Sequence, residues 1–440
     1  MKNLLSAEHP RTATGGRGGP GPTLADIRRA GRAGEDLVRR TPILASRSLS
    51  ERAGLELVLK AENLQRTGSF KLRGALAKLA SLDLSEVAGV VAGSAGNHAQ
   101  SLAYAARARG VACQVFMPLD AAIAKAKAAE AFGALVRYTG TSVDECVAEA
   151  RRVADRDDLV FVHPFDDPAV VAGQGTLGLE LVEQVPDLAR VVVPLGGGGL
   201  ASGVAIAVKS IRPAVQVIGV QAQACASFPE SLARRRPMDA HALPTIADGI
   251  AVKRPGGLTL RLVETWVDDV VLVSEQEIAD AVVLLLERTK LVVEGAGAAS
   301  LAAVLSGRVP PSPRGTTVAI LSGGNIDVRM ISALTRHHET SAGRRLVMFV
   351  RIQDSPGSLA RLLTLLGDAG GNILSVDHMR EGVDVGIGET GVQLALETRG
   401  EPQARELIGR VRESGYPVEV LPRPARHPGR DPAQNPSKSR

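Results

Sequence analysis

The sequence predicts an α/β protein that carries a second, smaller βαββαβ unit of ferredoxin-like type towards its C-terminal end. Three observations carry this prediction. From about 55 to 335, short Val/Ile-rich runs alternate with Ala-rich segments of helical character, the pattern of α/β units around a mostly parallel sheet. Several runs, among them VVVPLGGGG and VAILSGGN, end directly in glycines, as buried parallel strands do where they open into ligand-binding loops. After about 343 the pattern changes to alternating strands separated by helix-spaced leucines.

In chain order, residues 1–22 are rich in Gly and Pro and are expected to be disordered. A first domain is expected over 23–340, with helix starting near Thr23 and Asp26 in its first turn. Its strand runs are Leu55–Leu59, Gly89–Ala92, Gln114–Met117, Leu159–Val162, Arg190–Pro194, Val215–Val220, Val270–Val273 and Thr316–Leu321. The second domain is expected over 344–421. Arg345–Ile352 alternates as a strand, Asp354-Ser-Pro-Gly turns, and Ser358 can N-cap a helix bearing Leu359, Leu362, Leu363 and Leu366. Strands at Asn372–Met379 and around Val392, Leu394 and Leu396 follow, then a helix at 401–414 and a strand at Val418–Leu421. The Pro/Arg-rich tail, 422–440, is expected to be disordered.

Composition narrows the function. Aromatics make up only 2% of the chain, which argues against recognition of nucleic acid by base stacking. The net charge of +5 sits at the ends: residues 1–22 carry +2 and 423–440 carry +4, leaving −1 on the body. A folded basic patch for nucleic acid is therefore not expected. Cys113, Cys146 and Cys225 have neither disulfide-framework nor zinc spacing. No signal-peptide core and no apolar stretch of 18 residues occurs, so a cytoplasmic protein without a membrane span is expected.

Four segments can carry chemistry. In KAENLQRTGSFKLRGA, Lys71 lies close to Gly68 and Gly74, just before an Ala-rich helix. A lysine that forms a Schiff base must be partly desolvated so that its amine can lose a proton. SAGNHAQ, Ser94 to Gln100, leads from a strand into a helix. Consecutive N–H groups at a helix start favour an anion, although an ordinary capped loop has the same look. GGGGL, Gly196 to Leu200, permits the positive φ angles that curl N–H groups round a phosphate. A dinucleotide site fits it less well. Ser202 occupies the third glycine position, and Gln221 and Gln223 stand where an acidic ribose partner belongs. The fourth segment is SGGN, Ser322 to Asn325, at the end of a strand.

The string around Lys71 resembles the lysine motif of the fold type II pyridoxal-phosphate enzymes, and most closely that of the threonine dehydratases. The resemblance implies a two-lobed catalytic domain like tryptophan synthase β over 23–340, with a small lobe at roughly 55–158, and pyridoxal 5′-phosphate as cofactor. On that match Lys71 binds the coenzyme and removes the substrate Cα proton. Phe70 packs beside the coenzyme, Ser69 and Arg73 shape the pocket, and Asn97 bonds the coenzyme 3′-oxygen. Gly196, Gly197, Gly198, Gly199 and Leu200 take the phosphate, Ser322 faces the pyridine nitrogen, and Gly249 and Glu294 line the site. Ser69, Ser94, Ala95, Gly96, Asn97 and His98 would bind the substrate.

The implied reaction is β-elimination and deamination of L-threonine to 2-oxobutanoate and ammonia, and of L-serine to pyruvate. Related serine racemases carry a second serine where Ala95 stands here, and racemisation needs a group on each face of Cα. A serine racemase or 3-hydroxyaspartate dehydratase remains the rival within the fold. A non-catalytic amino-acid sensor is the rival outside it, and that reading predicts loss of the lysine or the glycine cup. Some relatives hold a divalent metal after the strand matching Val215–Val220, but QAQACASFP offers no carboxylate before Glu230, so no metal is expected there. DSPGSLARLL and Gly370-Gly-Asn-Ile resemble an ACT domain, which implies an allosteric amino-acid effector at Asp354, Pro356, Gly357, Ser358, Asn372 and Ile373. A homo-oligomer, dimer or tetramer, is expected with it.

Overall fold

The computed structural model describes residues 21–310, 315–381 and 385–421. The expectations of disorder for residues 1–20 and 422–440 lie outside the described residues. The chain divides between Asp327 and Val328 into two compact units.

The first unit opens with α1 (Leu24–Gly34), started by a capping box. The Thr23 side chain accepts from Asp26 N–H, and the Asp26 carboxylate takes the Thr23 N–H. The chain continues through β1 (Ile43–Ala45), α2 (Arg47–Ala53), β2 (Leu57–Ala61) and α3 (Lys71–Ala80). Next come β3 (Val90–Gly93), α4 (Asn97–Ala108), β4 (Cys113–Met117), α5 (Ile123–Ala131), β5 (Leu135–Tyr138), α6 (Val143–Asp157) and β6 (Val160–Phe161). The return half holds α7 (Pro168–Gln184), β7 (Leu188–Pro194), α8 (Gly199–Ile211), β8 (Gln216–Ala222) and α9 (Phe228–Arg234). It ends with α10 (Gly257–Trp266), β9 (Asp269–Val273), α11 (Glu275–Thr289), α12 (Gly295–Leu305) and β10 (Thr316–Leu321).

These strands form two sheets. The larger is ordered β1-β2-β10-β7-β8-β9 and the smaller β5-β4-β3-β6. Only β1 runs antiparallel to its neighbour. Edge strands β1 and β5 do not stand out in the sequence, because they are short and their side chains are half-buried or exposed. The central strands do stand out: β10 is buried at every position. Val191, Val193, Val217, Val318 and Ile320 share one core with Leu177, Leu181 and Val204 of α7 and α8. Each such fully buried side chain stabilises by about 1.5–3 kcal/mol relative to leaving it exposed.

The order of the larger sheet positions the site. The last strand, β10, inserts between β2 and β7, pairing Leu321 with Ala61 and Val318 with Val191. All three run parallel, so the lysine segment after β2, the glycine loop after β7 and the SGGN loop after β10 leave the sheet at the same end.

The second unit holds α13 (Val328–Ser341), β11 (Arg345–Gln353), α14 (Ser358–Asp368), β12 (Asn372–Met379), β13 (Glu389–Glu397), α15 (Glu401–Glu413) and β14 (Val418–Val420). Its sheet is ordered β12-β13-β11-β14 and is antiparallel throughout, the ferredoxin-like arrangement expected from the sequence. Leu346, Met348, Val350 and Ile352 alternate inwards from β11 onto Leu362, Leu366, Leu407 and Val411 of the two helices. The first domain, expected to run to 340, gives way earlier: α13 groups with the second unit. Only Leu334 of α13 is buried, so this helix carries too little apolar surface to be read as part of either core.

Candidate active site

The backbone itself holds the lysine segment against the end of β10. Phe70 N–H donates to the Ser322 carbonyl at 3.1 Å, and Gly324 N–H donates to the Gly68 carbonyl at 2.9 Å. Ser69 and Gly323 complete an antiparallel bridge. Lys71, the first residue of α3, is thereby fixed beside the SGGN loop. Its amine donates to the Pro164 carbonyl at 2.8 Å and lies 5.3 Å from the centre of the Phe70 ring. Burial lowers the amine pKa to about 8, against the opposing pull of Glu294. An amine in that range sheds its proton readily near neutral pH.

Behind Lys71, α3 is anchored by buried charges. Arg73 reaches Glu62 with Nε and Nη2, both at 2.8 Å, and Glu180 with Nη1 at 2.7 Å. Lys60 pairs with the same Glu180 and donates to Gln184 Oε1 and the Thr41 carbonyl, each at 2.8 Å. Two cations and two carboxylates therefore balance inside the fold, joining β2, α3 and α7. Burial raises the cost of the Glu62 charge, yet Arg73 and Lys60 outweigh it and hold that carboxyl below its usual range.

A cavity of about 740 Å³ opens in front of Lys71. It brings together Phe70, Lys71, Ser94, Ala95, Gly96, Asn97, His98, Gly196, Gly197, Gly198, Gly199, Leu200, Gly249, Glu294 and Ser322. Of the residues expected in the catalytic cleft, Ser69 and Arg73 are not among its lining residues: Ser69 is fully buried, and its hydroxyl has no hydrogen-bond partner. Arg73 points away, into the ion network. Both α4 and α8 start at the cavity, and neither has a side-chain cap. Their first N–H groups are thus available to anions. Gly198 adopts φ +93°, and a Cβ on Gly197 would fall 2.2 Å from the Phe165 ring. The cup therefore requires glycine at both positions.

HPFDD, His163 to Asp167, links β6 to α7 and bears no chemical motif that marks it in the sequence. This segment provides the carbonyl that holds Lys71 and the ring that walls the cup. His163 Nδ1 accepts from Phe165 N–H at 3.2 Å and Asp166 N–H at 2.8 Å. Asp167 N-caps α7 and its carboxylate accepts from Lys78 at 2.6 Å. The available signal was its position, a His-Pro turn immediately after a parallel strand. Across the mouth, Lys125 meets Asp248 at 2.7 Å and Lys253 meets Asp144 at 3.6 Å.

Two histidines in the cleft remain neutral. His98 Nε2 lies 2.9 Å from the Val162 carbonyl, so Nε2 carries the proton. Burial, then Lys71, pushes its pKa down to about 3, and burial pushes His163 down to about 4 although Asp166 pulls the other way. An unfolded histidine titrates near 6.5. As pH falls below that value the unfolded chain takes up protons that these two side chains refuse, so stability is lost between about 6.5 and 3. The Tm is expected to fall over that window, and His98→Gln, which can still donate to Val162, to flatten the fall. An unchanged slope in a thermal melt series would contradict this.

The family described as pyridoxal-phosphate dependent enzyme matches residues 35–323. The chain belongs to that family. An L-threonine ammonia-lyase of Thermotoga maritima is 46% identical over 401 residues, covering 91% of this chain and 99% of the relative. A threonine deaminase structure from T.th. superposes with a TM-score of 0.65 at 42% identity, covering 70% of this chain and 99% of that one. Maize serine racemase gives a TM-score of 0.67 at 33% identity, covering 73% and 99%. The first unit therefore has the two-sheet fold of fold type II pyridoxal-phosphate enzymes. The cleft of this pyridoxal-phosphate dependent enzyme fits its coenzyme on three counts. It offers a half-buried amine near pKa 8, a glycine cup at the start of α8, and the buried Ser322 at the end of β10.

In the second unit, a cavity of about 310 Å³ is lined by Asp354, Ser355, Pro356, Gly357, His378 and Arg380, among others. Asp354 and Arg380 pair at 3.2 Å. Ser358, Asn372 and Ile373, also expected at an effector site, are not among the lining residues. Asn372 instead donates to Glu397 at 2.8 Å. Among the described residues no helix is long and apolar enough to cross a membrane.

Proposed function

We propose that this enzyme deaminates L-threonine to 2-oxobutanoate and ammonia, and L-serine to pyruvate and ammonia. The observation that carries the reading is the half-buried Lys71 amine, near pKa 8, in a cleft that also offers the uncapped starts of α4 and α8. The similarity to an L-threonine ammonia-lyase along 91% of the chain supports threonine as the substrate.

When bound, pyridoxal phosphate supplies an electron sink for the negative charge that develops at the substrate Cα. Gly196 to Leu200 would hold its phosphate at the start of α8, and Phe70 would pack beside it. The start of α4, from Ser94 to His98, holds the substrate carboxylate. Lys71 takes the Cα proton once its amine is free. Ser322 would offer the pyridine nitrogen a hydroxyl, which would not hold a proton there as a carboxylate does, and so would suit elimination of the β-hydroxyl. Ala95 has no proton to give or take, which leaves Lys71 as the base at Cα and favours elimination over racemisation.

The second unit is read as an ACT regulatory domain, with an amino-acid effector held near Asp354, Pro356, Gly357 and Arg380. A homo-oligomer in the cytoplasm completes the reading. Product analysis on L-threonine and L-serine, with and without added amino acids, tests it. The expected result is 2-oxobutanoate and pyruvate. D-Serine as the main product from L-serine would replace this reading with the racemase, and absence of turnover would favour the sensor.

A further inference from the structure

Glu294 stands at the N-cap of α12, where a side-chain oxygen ordinarily accepts from the first N–H groups of the helix. It makes no such cap. Its carboxylate turns instead to Asn97, the first residue of α4, whose Nδ2 donates to Glu294 Oε1 at 2.6 Å. The oxygen end of the Asn97 amide is engaged as well. Asn325 Nδ2 donates to Asn97 Oδ1 at 2.7 Å and to the Thr67 carbonyl at 3.0 Å. Gly323 makes the approach possible: a Cβ there would lie 2.3 Å from Glu294 Oε1.

The orientation of the amide follows from chemistry. The Thr67 carbonyl can only accept, so Asn325 presents nitrogen to it and to Asn97, which meets it with oxygen and turns its own nitrogen to Glu294. One N–H of Asn97 then remains, and Asn97 lines the cleft. Glu294 is 5% exposed and, among the described residues, forms no salt bridge. Burial pushes its carboxyl up to about 7, with Asp248 adding to the rise and Asn97 and Lys125 opposing it. A buried carboxylate without a cation in direct contact is costly to keep; this one does not cap its helix, and besides Asn97 it takes the Asn325 backbone N–H and acts on the Lys71 amine only from a distance.

We propose that Glu294 is a positioning residue: through Asn97 it keeps one amide N–H turned into the cleft as a donor to an anionic oxygen of the bound coenzyme. This rests on the reading of the cleft given above. Without the carboxylate the amide is free to turn, and its carbonyl then faces that oxygen with repulsion in place of a hydrogen bond.

A double-mutant cycle on the full-length chain decides, read as the Kd for pyridoxal phosphate from absorbance titration, with the Tm of each variant recorded. Asn97→Ala and Glu294→Ala are each expected to weaken binding roughly tenfold or more, as for loss of a charge-assisted hydrogen bond. The double variant should lie within about twofold of Asn97→Ala alone, because the carboxylate acts only through the amide. Should Glu294→Ala not fold, the same cycle with Glu294→Gln applies, with a smaller loss that again vanishes in the Asn97→Ala background. Losses that multiply would show Glu294 acting by another route and overturn the proposal. Unchanged affinity in the Glu294 variants beside a weakened Asn97→Ala would overturn the positioning role alone. Unchanged affinity in Asn97→Ala would overturn it together with the placing of Asn97 against the coenzyme.

Discussion

Lys71→Ala is expected to lower kcat/KM for L-threonine by about 10⁴-fold or more, because in the proposed reaction Lys71 serves as both the covalent anchor and the base at Cα. The fold is expected to survive. The amine makes one hydrogen bond, to the Pro164 carbonyl, and its burial disfavours its charge, so alanine loses little there. The Tm should therefore stay close to the parent value while turnover disappears and borohydride no longer fixes the coenzyme to the chain. Activity within tenfold of the parent would sink the assignment of the whole cleft.

Arg73→Met should do the reverse, acting first on stability. It leaves Glu62 and Glu180 buried with only Lys60 between them. Breaking a buried ion cluster by removing one partner costs about 3–5 kcal/mol, since a charge is left uncompensated. Chemical denaturation measures this directly. Arg152→Ala serves as the control: its pair with Glu149 lies at the surface, where solvent screens it, and its loss should barely move the denaturation midpoint. Arg73→Lys should recover only part of the loss, because an ammonium cannot grip Glu62 with two parallel bonds and still reach Glu180. Equal effects in Arg73→Met and Arg152→Ala would mean that the network does not support α3.

Much of the architecture was legible before the structure. β10 and β7 announce themselves as apolar runs, Val318–Leu321 and Val191–Pro194, because parallel strands covered on both faces favour apolar side chains on both. β11 announces itself by alternation because only one of its faces meets helices. Edge strands β1 and β5 lack both signals, since their side chains meet solvent. The boundary at Asp327 was equally hidden: α13 has helical periodicity, and periodicity does not say which core a helix joins.

The candidate site divides in the same way. The residue strings pointed to the lysine, the glycine cup, the loop from Ser94 to His98 and the hydroxyl at Ser322 through their resemblance to a known family, because each chemistry restricts residue type within a short stretch of chain. Only the tertiary structure decided which of them share a cleft, that Ser69 is buried outside its lining, and that HPFDD closes the wall around the Lys71 amine. Those outcomes depend on β10 inserting between β2 and β7, a pairing between segments far apart in sequence. Local pattern records what a segment can form, while the partner across the sheet is chosen by burial and hydrogen bonding of the folded whole.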